Sequence, residues 1–172
     1  EKIEIAGCRF IRGVMFDKDI VLMKSGIGKV NAAMGTTIMV ERFLPDIIIN
    51  TGSAGGFSEH LEVGDIVISN KVVQHDVDAT AFDYDYGQVP GLPTFFQASE
   101  KLVKLTADVV KSLDIDYEIG LIATADTFMA DEQKVKAVQE KFPEMIAAEM
   151  EGGAIAQVCH QYGIPFVVIR AL

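Results

Sequence analysis

Cysteine is scarce: Cys8 and Cys159 are the two in 172 residues. That is too few for a disulfide framework and suits a reducing compartment. Basic side chains are also few, 15 Lys and Arg against 25 Asp and Glu, which gives a formal net charge of −10. Such a balance disfavours nucleic acid or an anionic membrane as partner, because phosphate contacts need clustered Lys and Arg. No apolar run approaches the roughly 20 residues of a membrane span, and no charged-then-apolar leader opens the sequence. The expectation is a soluble cytoplasmic domain. Internal repeats and low-complexity tracts are absent too. What is present is ordinary globular material, 49% hydrophobic and 23% charged, outside the composition that stays disordered. The length suits one domain with a real core. The sequence opens on Glu1 and stops inside the apolar run Phe166–Leu172, an odd place for a domain boundary. The expectation is therefore a single domain over 1–172 that lacks an N-terminal strand and a C-terminal segment.

Along the chain, Cys8–Met15 alternates apolar and basic residues, Asp17-Lys18-Asp19 reads as a turn, and Ile20–Lys24 reads as the second arm of a hairpin. After Gly26-Ile27-Gly28 a helix is predicted, with Val30, Ala33, Met34, Thr37 and Ile38 on its apolar face and Pro45 closing it. Asp46–Asn50 has the look of a strand buried on both faces, and it runs into Thr51-Gly52-Ser53-Ala54-Gly55-Gly56. A strand follows from Asp65 to Ser69, continuing towards His75, and residues 76–94 read as a long functional or interface loop. Leu102, Leu105, Val109 and Leu113 predict a helix capped by Ser99. Ile119–Ala123 and Met145–Met150 are strands, and Val135, Val138 and Phe142 mark a helix between them. Ile155, Val158, Cys159 and Tyr162 mark another, stopped by Gly163, before a strand opened by Pro165. Alternating strands and helices imply an α/β fold: a mixed, largely parallel central sheet flanked by helices, with ligands bound beyond the carboxyl ends of the strands.

Three motifs fall at such ends. In Thr51–Gly56 small residues let a ligand approach the backbone, although a tight strand-to-loop turn would use the same residues. No Gly-Lys-Ser/Thr follows, so it is not a nucleotide P-loop. Lys24-Ser25-Gly26-Ile27-Gly28-Lys29 is half a dinucleotide fingerprint, with Asn31 at the third glycine position. Asp126-Thr127-Phe128 offers an aromatic ring for a base. Glu149-Met150-Glu151 puts two carboxylates on opposite sides of a strand end, so one of them is expected to face a pocket. A carboxylate there can accept from two vicinal hydroxyls, as ribose recognition requires, or simply start a helix. His75-Asp76-Val77-Asp78 invites a metal, but the chain has only His60, His75 and His160, and adjacent Cys159 and His160 point apart on a helix. No metal is expected. A Ser53–Asp126–His160 esterase order is also present, but Thr51 stands where a nucleophile elbow needs Gly.

With Lys24–Val30, Asn50–Gly56, His75–Phe82 and Ala148–Glu151 in this order, the sequence resembles the bacterial 5′-methylthioadenosine/S-adenosylhomocysteine nucleosidases of the nucleoside phosphorylase-like superfamily. The likeness extends over the whole chain. It implies the phosphorylase-type fold, a homodimer, no cofactor, and hydrolysis of the bond between adenine and ribose with a small nucleoside and water as partners. Methionine salvage and the supply of a quorum-sensing precursor are the expected settings. Carried over residue by residue, the resemblance implies that Glu151 holds the ribose hydroxyls over Met150. Phe128 stacks on adenine, the backbone of Met129 reads its edge, and Ser53, Ala54 and Gly55 line the ribose and base. Ile27, Ala79, Phe82 and Pro90 form a 5′-alkylthio pocket shared across the dimer, and Glu149 and Arg170 support. The general-acid Asp would sit in a Ser-Asp pair directly after Leu172 and the general-base Glu before Glu1, so no catalytic carboxylate is assigned within 1–172. Asn50 stands where related phosphorylases carry a phosphate-binding Arg, and four arginines in all (Arg9, Arg12, Arg42, Arg170) favour water as nucleophile. Two alternatives stay open: an inactive adenosine-binding dimer, and a futalosine-type nucleosidase.

Overall fold

In the computed structural model, which describes residues 1–172, the chain opens with an antiparallel meander of β1 (Lys2–Ile5), β2 (Cys8–Met15) and β3 (Lys18–Lys24). The first strand was not expected from the sequence. Phe16 and Asp17 turn the hairpin, both at positive φ (50° and 57°), as a two-residue turn between right-twisted strands requires. The second arm thus starts at Lys18, two residues before the expected position.

Helix α1 (Lys29–Phe43) lies where the sequence places it, with its most buried face shifted from the predicted one: Ala33, Met34 and Ile38 pack against the core only partly buried. Ala32, Gly35, Thr36, Met39 and Val40 are buried, whereas Val30 is 76% exposed. The helix is apolar nearly all round, so period alone does not choose the face. Packing does: a Cβ at Gly35 would lie 2.9 Å from Met23 Sδ and 3.1 Å from Cys8 Sγ, so the missing side chain lets the helix sit against the meander. The C-cap, Leu44, is left-handed, and Pro45 follows.

The main sheet runs in the order β4 (Ile48–Ser53), β10 (Phe166–Ala171), β6 (Ile66–Gln74), β8 (Tyr117–Thr124), β9 (Met145–Glu149), β5 (Gly55–Gly56), with β7 (Phe96–Gln97) pairing to β6. The long ladders β10–β4, β6–β8 and β8–β9 are parallel, and the antiparallel pairings are two or three residues long. Strands β4 and β5 stand at opposite ends of this order yet are joined by Ala54 alone. The sheet is therefore curled, and the glycine-rich segment is its seam. Being an edge, β4 is not buried on both faces: Ile48 is buried while Ile47 and Ile49 are 44% and 52% exposed.

Helix α2 (Glu100–Ser112) buries Leu102, Ala107 and Val110, while Leu105, Val109 and Leu113 are mostly exposed. The predicted stripe is thus rotated, because Ala107 contributes to the inner face with little hydrophobicity of its own. Ser99 is the N-cap by position, but its side chain makes no capping bond. Helix α3 (Glu132–Lys141) is capped by Asp131, whose carboxylate accepts from the amides of Gln133 and Lys134. Helix α4 (Gly152–Tyr162) ends at left-handed Gly163 (φ 68°) as expected, and it packs against α1 and the sheet. Residues 76–94 hold one short 3₁₀ turn at Thr80–Phe82 and are otherwise irregular. No helix is long and apolar enough to cross a membrane.

Candidate functional site

A cleft of about 610 Å³ opens at the carboxyl ends of β4, β8, β9 and β10, a size suited to a small organic ligand. The seam contributes Ser53, Ala54 and Gly55 to its wall. Phe128 and Met129 come from the loop after β8, and Phe128 is 80% exposed. Met150 and Glu151 come from the β9–α4 junction, Arg170 from β10, and Ile27 from the loop before α1. Ala79, Phe82 and Pro90 do not line this cleft, and Phe82 is 77% exposed.

The two glutamates of Glu149-Met150-Glu151 both reach the cleft, against the expectation that one would turn away. Strand alternation fails here because β9 ends at Glu149 and the chain bends at once into α4. Glu149 is the buried member. Its carboxylate accepts from the amides of Glu151 (3.1 Å) and Gly152 (2.7 Å), from the Thr124 hydroxyl and from Arg170 Nη2. Thr124 Oγ1 accepts in turn from Gly153 N at 2.7 Å. The first amides of α4, which no helical carbonyl can satisfy, are thus taken by Glu149 and Thr124. A negative group there also suits the helix dipole.

Arg170 is 3% exposed. Besides Glu149, its Nη2 donates to Asn50 Oδ1 at 2.5 Å and lies 3.6 Å from Glu151 Oε2. Two carboxylates and an amide therefore meet one guanidinium. Gly52 is required for this arrangement, since a Cβ on it would collide with Arg170 Nη1. At Gly56 the space a Cβ would take is filled by the end of the Leu172 side chain, whose Cδ1 would lie 2.6 Å from it. Two of the three glycines in the seam thus make room for the protein's own side chains rather than for a ligand.

Glu151 is the more open carboxylate, with a side chain 16% exposed. Its Oε1 accepts from Gly28 N at 3.0 Å, a tie between the Ser25–Gly28 loop and the base of the cleft. The sequence signal for this tie was the lack of any side-chain cap at the start of α1, whose N-cap is Gly28. The resemblance names Asn50, Glu149 and Arg170 one by one, but nothing in the sequence shows that they meet, because they lie far apart along the chain.

The remaining candidates lie elsewhere. His75 is buried at the end of β6 with Nε2 unpartnered, and burial pushes its pKa below 6.5. No group of three or more His, Cys, Asp or Glu is placed to hold a metal. His160 packs edge-on against Phe96, with ring centroids 5.5 Å apart, and neither it nor Asp126 lines the cleft, so no Ser53–Asp126–His160 triad forms there. Cys159 is buried beside exposed His160, and desolvation raises its thiol pKa to about 12.

The model of the phosphorylase superfamily matches residues 1–172. A 5′-methylthioadenosine/S-adenosylhomocysteine nucleosidase of Oceanobacillus iheyensis is 57% identical over 172 residues, covering 100% of this chain and 75% of the relative. The protein of the same name from Bacillus pumilus is 60% identical over 169 residues, 98% of this chain and 73% of its own. The crystal structure of the Colwellia psychrerythraea nucleosidase in complex with adenine superposes with a TM-score of 0.96 at 48% identity, over 100% of this chain and 72% of that one.

Proposed function

We propose the chemistry of this cleft from the premise that the chain belongs to the phosphorylase superfamily and, within it, to the 5′-methylthioadenosine/S-adenosylhomocysteine nucleosidases. The protein hydrolyses the N-glycosidic bond of 5′-methylthioadenosine and S-adenosylhomocysteine, releasing adenine and the thio-ribose. The observation that carries the reading is the convergence of Glu151, Met150, Phe128 and the Ser53–Gly55 backbone in one cleft. Glu151 accepts from the vicinal ribose hydroxyls, a paired charge-assisted contact, while Met150 supports the sugar. Phe128 stacks on adenine, and the Met129 backbone reads its edge.

Departure of adenine builds positive charge on the ribose, and a carboxylate at the hydroxyls stabilises it more in the transition state than before it. Water, rather than phosphate, is the nucleophile. The arginine in the cleft is already engaged by Glu149, Asn50 and Glu151, and the first amides of α4 are taken by side chains. A dianion there would meet two carboxylates, Glu149 and Glu151, beside that one cation and no open helix N-terminus.

We further read the protein as a cytoplasmic homodimer that engages neither nucleic acid nor membrane. Ile27, Val30, Phe82 and Phe128 are 72–80% exposed, an apolar content that a second copy would cover. Ala79, Phe82 and Pro90 lie outside this protomer's cleft, which suits a 5′ pocket completed by the partner.

The test is adenine release from 5′-methylthioadenosine in phosphate-free buffer, with Glu151→Ala as comparison. The expectation is full activity without phosphate and a loss of roughly 10²-fold or more in kcat/KM for the variant, as for removal of one charge-stabilising contact. Dependence on added phosphate would overturn the hydrolytic reading.

A further inference from the structure

The geometry points to Asp126 as a positioning residue that, through the start of α1, fixes the carboxylate of Glu151 for the ribose hydroxyls; this rests on the role proposed above for Glu151. Helix α1 begins without a cap of its own: its N-cap is glycine, and its first turn carries no acidic residue. Two carboxylates from distant parts of the chain do that work instead. Glu151 Oε1 accepts from Gly28 N at 3.0 Å, and Asp126 Oδ1 accepts from Lys29 N at 2.7 Å.

Asp126 is itself held in place. Its amide donates to Asp76 Oδ2 at 3.0 Å, and Asp76 Oδ1 accepts from Lys29 Nζ at 2.7 Å. Lys29, Asp126 and Asp76 thus form a closed ring that joins the start of α1 to the loops after β6 and β8. Lys29 and Asp76 side chains are 18% and 27% exposed, so the ring sits at the edge of the fold. Gly28 has φ 92°, and a Cβ there would lie 2.9 Å from Asp126 Oδ1. The close approach of Asp126 is therefore built into the backbone.

None of Lys29, Asp76 and Asp126 lines the cleft, which makes their role indirect. A carboxylate free to rotate loses part of the advantage of two aimed hydrogen bonds. The Gly28 amide ties one oxygen of Glu151, and the ring fixes where that amide points. Selectivity for vicinal hydroxyls over a deoxyribose should then depend on the ring, because the rejection of an analogue lacking a hydroxyl depends on a well-aimed polar partner.

The experiment compares kcat/KM of the full chain for 5′-methylthioadenosine and its 2′-deoxy counterpart. For Asp126→Ala the ribo/deoxy ratio should fall about tenfold, mainly through the KM of the ribonucleoside, as for loss of one aimed hydrogen bond. Asp126→Asn, whose side-chain carbonyl still accepts from Lys29 N, should keep the ratio. Lys29→Met, which removes the Nζ bond only, should lose part of it, and stands in if Asp126→Ala does not fold. An equal fall for both substrates in Asp126→Ala, or in Lys29→Met where that variant stands in, leaves the ratio unchanged and overturns the inference while sparing the function proposed for the site. So does a ratio in Asp126→Asn as low as in Asp126→Ala. A parent that binds without cleaving gives the same ratio from dissociation constants measured by calorimetry. A parent that neither binds nor cleaves overturns the functional reading and this inference with it.

Discussion

Glu149→Gln removes the charge from a carboxylate that ties together β9, α4, β8 and β10. The Glu149 and Arg170 side chains are 1% and 4% exposed, so water cannot replace the lost partner. Breaking a buried ion pair from one side costs about 3–5 kcal/mol, because the other charge stays buried and uncompensated. Glu149 also accepts from the amides of Glu151 and Gly152, and the amide group of Gln can serve only part of that set. Glu151 Oε2, 3.6 Å from Arg170, recovers some of the attraction. The expected loss is therefore nearer about 3 than about 5 kcal/mol. For a chain of this size, that lowers Tm by roughly 6–12 °C. Denaturant unfolding should show a shifted midpoint at constant slope. Glu149→Met/Arg170→Met removes both charges and should be no less stable than Glu149→Met alone, since a buried pair exchanged for apolar side chains is often neutral. A Glu149→Gln variant within about 0.5 kcal/mol of the parent, or strictly additive single substitutions, would refute the reasoning.

His75 should make stability depend on pH. Its folded pKa lies below 6.5 because burial opposes the charged ring. Below pH 6.5 the unfolded chain therefore takes up a proton that the folded chain does not. Stability should be full above 6.5 and fall as pH drops from there towards the folded pKa, a slope that His75→Gln abolishes in urea midpoints measured across that window. Cys8 and Cys159 are both buried, and the Cys159 thiol is raised to about 12, so a thiol reagent at pH 8 should label neither in the native protein and both in denaturant. Prompt native labelling would contradict the packing. Gly28→Ala combines a φ of 92° with a 2.9 Å contact to Asp126 and should cost about 1–3 kcal/mol by thermal melting.

Several features were legible in the sequence because they depend on local chemistry. The β2–β3 hairpin, the stop at Gly163 and the strand after Pro165 follow from turn residues and proline. The cleft was legible as well, because ligand sites in α/β sheets lie beyond strand ends, where the three motifs had been placed. Faces were another matter. The inward sides of α1 and α2 are shifted from the predicted ones where small residues, Ala32, Gly35 and Ala107, take the inner positions and large apolar ones, Val30, Leu105 and Val109, stay outside. Period counts large apolar residues and cannot see close approach.

The amino-acid sequence by itself determined the alternation of strands and helices, the elements that carry each motif, and the family. Hydrophobic period, capping and motif order are properties of neighbours along the chain. Tertiary structure alone decided that Ile48–Gly56 pairs at both ends of the curled sheet, and that Glu149 and Glu151 share one cleft around Arg170. It also decided that α1 takes its caps from Asp126 and Glu151. Those contacts join residues roughly 20 to 120 positions apart, and the partner of a buried charge or an uncapped amide is fixed by where the backbone brings the two together.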